Sequence, residues 1–255
     1  MANEYESILE EAIDIAERAS EIALSHFRKA ILIEMKENLT PVTIADKKTE
    51  EAIRFDIERS YPDHGIIGEE FGEVSQKSDY VWTIDPIDGT RSFIRGIPLF
   101  GTLISLLKNG EPIIGVMVLP ALRETYWALK GEGTFCNGHQ LHVSATTSLE
   151  ASFASCGDPG CFEDAGKSTV LQNLIKHCDV VRGYTDCFGH SLLFRGGVDA
   201  MVDPVVSIWD VAPLALMAEE AGGAYFSFSG ERTIRDTSFI TCTPKLRDAI
   251  LGLQT

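Results

Sequence analysis

The sequence has few basic side chains. Its 255 residues include 22 lysines and arginines against 38 aspartates and glutamates, a formal net charge of −16 at pH 7. A surface of this sign repels nucleic acid and anionic membranes, so neither is an expected partner. It also repels phosphate esters. A site that handles phosphate in this chain would need bound cations to reverse the local charge.

Long apolar runs, paired cysteines and repeats are also missing. No apolar stretch approaches the length of a membrane span, and the first residues, Met1-Ala2-Asn3-Glu4, are too polar for a signal peptide. The six cysteines contain no CxxC pair, and no internal repeat, low-complexity tract or proline-rich linker is present. We therefore expect a cytoplasmic protein with reduced thiols.

The hydrophobic fraction of 44% is sufficient for the core of a single catalytic domain spanning residues 1–255. Residue patterns predict mixed α and β structure in stacked layers, with two subdomains at about 1–145 and 146–255. Helices are predicted at 4–29, 43–60, 166–177, 189–195 and 212–221. Strands are predicted at 31–36, 66–67, 80–84, 99–108, 112–119, 125–129, 180–182, 200–202, 224–228 and 239–242.

The most informative segment is Trp82–Thr90, which reads Trp-Thr-Ile-Asp-Pro-Ile-Asp-Gly-Thr. It places Asp85 and Asp88 three residues apart, directly after an apolar run. Gly89 allows a tight turn because glycine adopts positive φ without steric cost. Residues 91–94 can then begin a short helix, whose free N–H groups favour an anion. Carboxylates beside such a helix start indicate metal ions held next to a phosphate.

Other oxygen ligands occur at the ends of predicted strands or the starts of predicted helices. Glu69-Glu70 follows a short strand, Asp210 precedes a helix, and Asp46 with the Thr90 hydroxyl could orient a water. Mg²⁺ prefers such hard oxygen ligands. Taken singly, these acids also fit a solvated turn or a helix cap. Their combination in one chain favours a metal centre.

The order of these motifs resembles the inositol monophosphatase family of Mg²⁺-dependent, lithium-sensitive phosphatases. Residues 82–93 match its signature W-x-[IV]-D-P-[IL]-D-G-[ST]-x-x-[FY], and Gly68-Glu69-Glu70 matches its upstream Gly-Glu-Glu. Further matching segments are Val42–Glu50, Gly131–Gly138, Trp209-Asp210 and Ala221–Gly223. The resemblance covers nearly the whole chain. It implies a layered α/β/α/β/α sandwich of the inositol monophosphatase and fructose-1,6-bisphosphatase type, commonly a homodimer.

The resemblance also implies a role for each matching position. Two or three Mg²⁺ ions would be held by Glu69, Asp85, the backbone carbonyl of Ile87, Asp88 and Asp210. The catalytic residues would be Asp46, Thr90 and, in the outer shell, Glu70. Gly89, Thr90 and Arg91 would bind the substrate, the first two through their N–H groups. Lys36 falls where family members often keep a basic residue. Hydrolysis is expected to use a metal-activated water.

The flanking segments 88–104 and 206–214 look most like the histidinol-phosphate phosphatase branch of this family. Histidinol phosphate carries an amine and an imidazole, so its site should offer carboxylates beyond the metal ligands. The resemblance assigns Asp186 and Asp203 to this task, although exposed loop positions are the ordinary alternative. We expect hydrolysis of histidinol phosphate. The alternative substrate is inositol 1-phosphate or another sugar or nucleotide phosphate.

Two other classes of protein remain as alternatives. Phosphatases that form an aspartyl-phosphate also use an Asp-rich turn, but their acids are two residues apart and so point to one side of a strand end. Here Asp85 and Asp88 are three apart, with Pro86 between them. A non-catalytic member of the family would tolerate loss of Asp46 and Thr90, and both are present.

Overall fold

The computed structural model of the protein describes residues 5–36, 40–74 and 77–254. The helices are α1 (Glu6–His26), α2 (Ile44–Ser60), α3 (Thr90–Ile94), α4 (Pro159–Asp164), α5 (Ser168–His177), α6 (Asp186–Phe194), α7 (Ile208–Glu220) and α8 (Arg247–Leu251). The strands are β1 (Ile33–Met35), β2 (Pro41–Thr43), β3 (Gly65–Gly68), β4 (Gly72–Val74), β5 (Tyr80–Asp88), β6 (Gly101–Lys108), β7 (Glu111–Leu119), β8 (Glu124–Leu129), β9 (Gly133–Cys136), β10 (His139–Leu141), β11 (Phe153–Cys156), β12 (Val180–Arg182), β13 (Ala200–Asp203), β14 (Ala224–Phe226) and β15 (Phe239–Cys242).

Two large sheets organise the chain. The first has the strand order β10-β9-β8-β7-β6-β5-β3-β4 and is antiparallel except where β3 pairs with β5. The second has the order β12-β11-β13-β15-β14, in which β11 runs parallel to both of its neighbours. Strands β1 and β2 form a separate antiparallel pair.

Side-chain alternation along the strands separates the layers. Ile104 of β6 packs with α1 and α2, whereas its neighbour Leu103 packs with α6 and α7 on the opposite face. In the second sheet, Phe239 faces α6 and α7, and Ile240 packs with α4, α5 and α8. Helices α6 and α7 therefore lie between the two sheets, and the order of layers is α/β/α/β/α.

Local sequence signals account for several of these elements. Asn109 and Gly110 both adopt positive φ, 52° and 83°, in the predicted hairpin turn between β6 and β7. At the start of α2, the Asp46 carboxylate accepts the Thr43 N–H at 2.8 Å, as the capping pattern predicts.

Two predicted helix starts were wrong. Helix α7 begins at Ile208, with Pro213 inside it, because the Asp210 carboxylate caps the Ser207 N–H at 2.7 Å. Helix α6 begins at Asp186, before Gly189. That glycine lies inside the helix because the Tyr184 carbonyl approaches too closely to leave room for a side chain. The side chain of Met201 on β13 fills the same space, so packing requires a glycine at a position that the prediction had interpreted as a helix start.

None of the helices in the described ranges combines the length and hydrophobicity that crossing a bilayer would require. All six cysteines are free thiols, and four of them are buried: Cys156, Cys178, Cys187 and Cys242.

Candidate metal and phosphate site

An irregularity at the end of β5 brings its two acids to one place. The pairing of β5 with β6 shifts between Asp85 and Asp88, so that the strand gains one extra residue there. The Thr102 hydroxyl donates a 2.9 Å hydrogen bond to the carbonyl of Pro86, and the Ile87 N–H donates to Asp85 Oδ1 at 3.0 Å. These bonds hold the bulge in place.

Three carboxylates converge at this bulge. Oxygen atoms of Asp85, Asp88 and Asp210 all lie within 4.8 Å of one another, although Asp210 comes from α7. Burial and the charges of Glu69, Asp88 and Asp210 raise the pKa of Asp85 well above its ordinary value. Burial, opposed by the Ser207 hydrogen bond, raises the pKa of Asp210 to about 7. Buried acids that repel one another in this way form a site suited to a cation.

The tandem acids after β3 lie beside this cluster. Lys36 Nζ donates 2.7 Å hydrogen bonds to Oε1 of both Glu69 and Glu70. Burial lowers the pKa of Lys36, but the two carboxylates outweigh it and the net shift is upward. Burial also raises the pKa of Glu70 to about 7, against the opposing effect of Lys36. The one ammonium group therefore compensates only part of the local negative charge.

Glu50 accepts hydrogen bonds from the backbone of the Glu69-Glu70 segment, a role that the sequence analysis did not predict. Its buried carboxylate accepts the Glu70 N–H at 2.7 Å and Arg54 Nε at 2.7 Å. Gly68 is required beside it, because a Cβ there would collide with the Glu50 carboxylate. The i, i+4 spacing of Glu50 and Arg54 signals an ion pair, but not the loop that it supports.

Asp46 and Thr90 lie close to each other beside these acids. Thr90 Oγ1 lies 2.9 Å from the Ile87 carbonyl and 3.4 Å from Asp46 Oδ1. Both bonds from Thr43 go to the other oxygen of Asp46, Oδ2, at 2.6 and 2.8 Å. Burial raises the pKa of Asp46. Because Thr43 binds only Oδ2, Oδ1 is the Asp46 oxygen that faces the Thr90 hydroxyl.

Gly89 lies between the acids and α3. Its φ of 83° is in the left-handed region, and a Cβ would come within 2.9 Å of the Leu99 carbonyl oxygen. Glycine is therefore required both for the conformation and for the space. The turn places Gly89, Thr90 and Arg91 on the wall of the cavity, with Arg91 exposed at its rim.

The two predicted specificity acids lie close to this site, not in exposed loops. Asp186 begins α6 with φ 59°, accepts the Thr185 hydroxyl at 2.7 Å, and lies near Gly89. Burial raises the pKa of Asp186 to about 6. Asp203 ends β13, is 8% exposed, and pairs with a histidine that sequence reasoning missed, His190. No sequence motif marks that histidine.

These residues enclose two neighbouring cavities. The larger, about 290 Å³, is lined by Thr40, Pro41, Glu69, Asp85, Ile87, Asp88, Gly89, Thr90, Arg91, Cys161, Asp186, Val205, Val206, Ser207, Trp209 and Asp210. The smaller, about 90 Å³, shares Asp88, Asp186 and Asp210 with it and adds Asp203 and His190. A roomier crevice of about 460 Å³ lies against α1, but none of these acids lines it. Glu69, Asp85, Ile87, Asp88, Gly89, Thr90, Arg91, Asp186, Asp203 and Asp210 line one or both of these cavities, whereas Asp46 and Glu70 line neither and lie behind Thr90 and beside Glu69.

Comparison with known proteins agrees with this geometry. A model of the inositol monophosphatase family matches residues 4–254. A histidinol-phosphatase from Chlorobaculum parvum is 40% identical over 229 residues, 89% of this chain and 88% of that protein. Another from Mycobacterium tuberculosis is 35% identical, covering 94% and 95%. A solved IMPase from Thermotoga maritima superposes with a TM-score of 0.89 at 29% identity, covering 97% and 96%. The predicted layered α+β fold is confirmed.

Proposed function

Because the chain belongs to the inositol monophosphatase family, as its motifs predicted, and is a phosphoric monoester hydrolase, we propose that its substrate is histidinol phosphate. The products would be histidinol and phosphate. One observation carries the proposal: Asp186 and Asp203 line a small cavity directly beside the three clustered acids. In the described ranges, neither forms an ion pair with a lysine or arginine.

The donor set of the acid cluster fits Mg²⁺. All candidate ligands are hard oxygens, and the raised pKa values of Asp85 and Asp210 reflect negative charge that a cation would compensate. Glu69, Asp85, Asp88, Asp210 and the Ile87 carbonyl would hold two or three ions. When bound, Mg²⁺ would neutralise the phosphoryl oxygens, make a water more nucleophilic and stabilise the leaving oxygen.

The chain's own groups would orient the attacking water. Asp46 Oδ2 is occupied by Thr43, so Oδ1 is the oxygen available to accept a proton from a water near Thr90. The Thr90 hydroxyl donates toward the Ile87 carbonyl, which leaves its lone pairs free to accept from the same water. The raised pKa of Asp46 makes it a better base than an ordinary aspartate.

The leaving group would be recognised by charge. Histidinol carries an ammonium group at neutral pH, and a carboxylate in a partly buried cavity binds such a group through a charge-assisted hydrogen bond. Asp186 and Asp203 would supply two such carboxylates, since they line the small cavity beside Asp88 and Asp210. The hydroxyl groups of inositol would bring no positive charge to this acidic cavity.

The test is a phosphate-release panel with histidinol phosphate, inositol 1-phosphate, fructose 1,6-bisphosphate and a nucleotide monophosphate. We expect kcat/KM for histidinol phosphate to exceed the others by about tenfold or more. Chelation should abolish turnover and added Mg²⁺ should restore it. Equal or faster hydrolysis of the inositol ester would overturn the substrate assignment while leaving the phosphatase activity intact.

The same proposal assigns the enzyme to histidine biosynthesis, as a cytoplasmic homodimer. Light scattering of the purified protein tests the dimer independently of the substrate.

A further inference from the structure

A chain of hydrogen bonds ends at the carboxylate of Asp203. His190 Nε2 lies 2.8 Å from Asp203 Oδ2, and its other ring nitrogen, Nδ1, lies 2.8 Å from the Thr241 hydroxyl. His190 is 1% exposed, and its ring packs against Phe239 with centroids 5.1 Å apart. With a proton on Nε2 alone, the ring would donate to Asp203 through Nε2 and accept from the Thr241 hydroxyl through Nδ1, so both bonds would be satisfied.

The second oxygen of Asp203 is held from another direction. Oδ1 lies so close to Gly157 that a Cβ at that position would collide with it. Among the described residues, no side chain donates a hydrogen bond to Oδ1. The carboxylate is therefore oriented by contacts to one oxygen and by available space at the other, and no lysine or arginine in the described ranges pairs with it.

Helix geometry places this arrangement at the substrate cavity. Asp186 and His190 are four residues apart on α6, so they lie on the same face of the helix. Both line the 90 Å³ cavity together with Asp203. The His190 ring thus lies between Thr241 on β15 and Asp203 at the end of β13, two neighbouring strands of the second sheet.

We propose that His190 is a positioning residue that orients Asp203 to receive the cationic part of the leaving alcohol, and so sets the preference for an amino alcohol ester. This inference rests on the proposed function. The inference adds a role for His190, because an Asp203 side chain that rotated freely would have to be ordered each time the ligand binds. Holding one oxygen in advance removes that cost and directs the carboxylate toward the ligand.

Two substitutions at His190 test its two hydrogen bonds separately. His190→Gln keeps a donor near the position of Nε2 and thus the bond to Asp203. His190→Asn keeps only a group near the position of Nδ1, which faces Thr241. We expect His190→Asn to raise the KM for histidinol phosphate by about tenfold with a much smaller change in kcat, and His190→Gln to restore most of the loss.

Product inhibition distinguishes positioning from general damage. In the Mg²⁺-loaded enzyme, the inhibition constant for histidinol should rise about tenfold in His190→Asn, whereas that for inorganic phosphate should change far less. Because His190 is buried, unfolding curves should accompany each variant. If His190→Asn does not fold, Thr241→Val provides a second test: it releases Nδ1 with little change in volume and should weaken histidinol inhibition in the same direction.

Three results would overturn the inference. They are equal losses in the Asn and Gln variants, parallel loss of histidinol and phosphate inhibition, or no change in either. A wild-type enzyme that neither hydrolyses histidinol phosphate nor is inhibited by histidinol would instead refute the proposed substrate, and the inference with it. That failure is recognised in the unmodified protein, before any variant is compared.

Discussion

The backbone N–H of Cys187 donates a 2.5 Å hydrogen bond to Oδ2 of Asp88. Asp88 ends β5 in the first sheet, and Cys187 lies in the first turn of α6, whose free N–H groups favour an anion. The bond connects the two halves of the chain at the acid cluster. We propose that residues 1–145 and 146–255 are subdomains of one catalytic domain, with the site at their junction.

Asp88→Asn should reduce kcat by at least about a hundredfold, since changes to groups that only support a metal ligand already cost ten- to a hundredfold. The amide would replace a negative ligand and bring an NH₂ group close to the Cys187 N–H. Steady-state phosphate release measures the loss. The matched control is Asp248→Asn on the surface, where the side chain is 93% exposed. Near-normal activity of the Asp88 variant would show that Asp88 is not a metal ligand required for catalysis.

Thr90→Val should lower kcat by about 10²–10⁴-fold, the usual contribution of a positioned proton-transfer group, while the fold remains intact. The hydroxyl donates to the Ile87 carbonyl and lies 3.4 Å from Asp46 Oδ1, and valine has a similar shape without the oxygen. Thr90→Ser keeps the hydroxyl and should recover most of the rate. If serine and valine are equally impaired, the hydroxyl does not orient the water.

Mg²⁺ should stabilise the protein more at high pH than at low pH. In the metal-free protein, burial raises the pKa of Asp210 to about 7, so the folded state binds more protons than the unfolded chain between about pH 4 and 7. Stability of the metal-free form therefore falls as pH rises through this window. Mg²⁺ compensates the carboxylate charge once the protons have left.

Thermal unfolding at two pH values tests this. At about pH 8 and a hundredfold excess over its dissociation constant, Mg²⁺ should raise Tm by about 5–10 °C, with a smaller rise at about pH 5.5. A rise that is the same at both pH values would mean that the acid cluster does not bind the ion.

Glu50→Gln should destabilise the protein by about 3 kcal/mol, because it leaves the Arg54 guanidinium without its buried partner. The Glu70 N–H would also lose a charged acceptor, so Mg²⁺ affinity should fall with stability. Denaturant unfolding measures the first effect and calorimetry with Mg²⁺ the second. Glu51→Gln, the next residue on α2 and exposed, is the matched control and should be neutral.

Features that depend on neighbours in sequence were predictable. The Asn109-Gly110 hairpin, the Thr43–Asp46 cap and the tight turn at Gly89 follow from backbone preferences and short-range hydrogen bonds. The family signature then related the metal acids to one another, and the structure brings Asp210 to Asp85 and Asp88. Asp186 and Asp203 were also foreseen through the resemblance, and both line the cavity.

Contacts between distant segments decided the rest. Gly189 is such a case, because the side chain of Met201 on β13 leaves no room for a Cβ at that position in α6. The start of α7 is an exception, since its Ser207–Asp210 cap spans only three residues of sequence. The hydrogen bonds from the Glu70 N–H to Glu50 and between His190 and Asp203 join residues 20 and 13 positions apart, and no sequence motif marks either contact.

The sequence by itself determined the residue types of the candidate site, because its motifs set carboxylates that suit a divalent cation beside a glycine turn. Tertiary structure alone decided which side chains support those residues. A buried hydrogen bond such as that from His190 to Asp203 depends on how a helix and a strand pack, and packing distances are not encoded in the spacing of two residues along the chain.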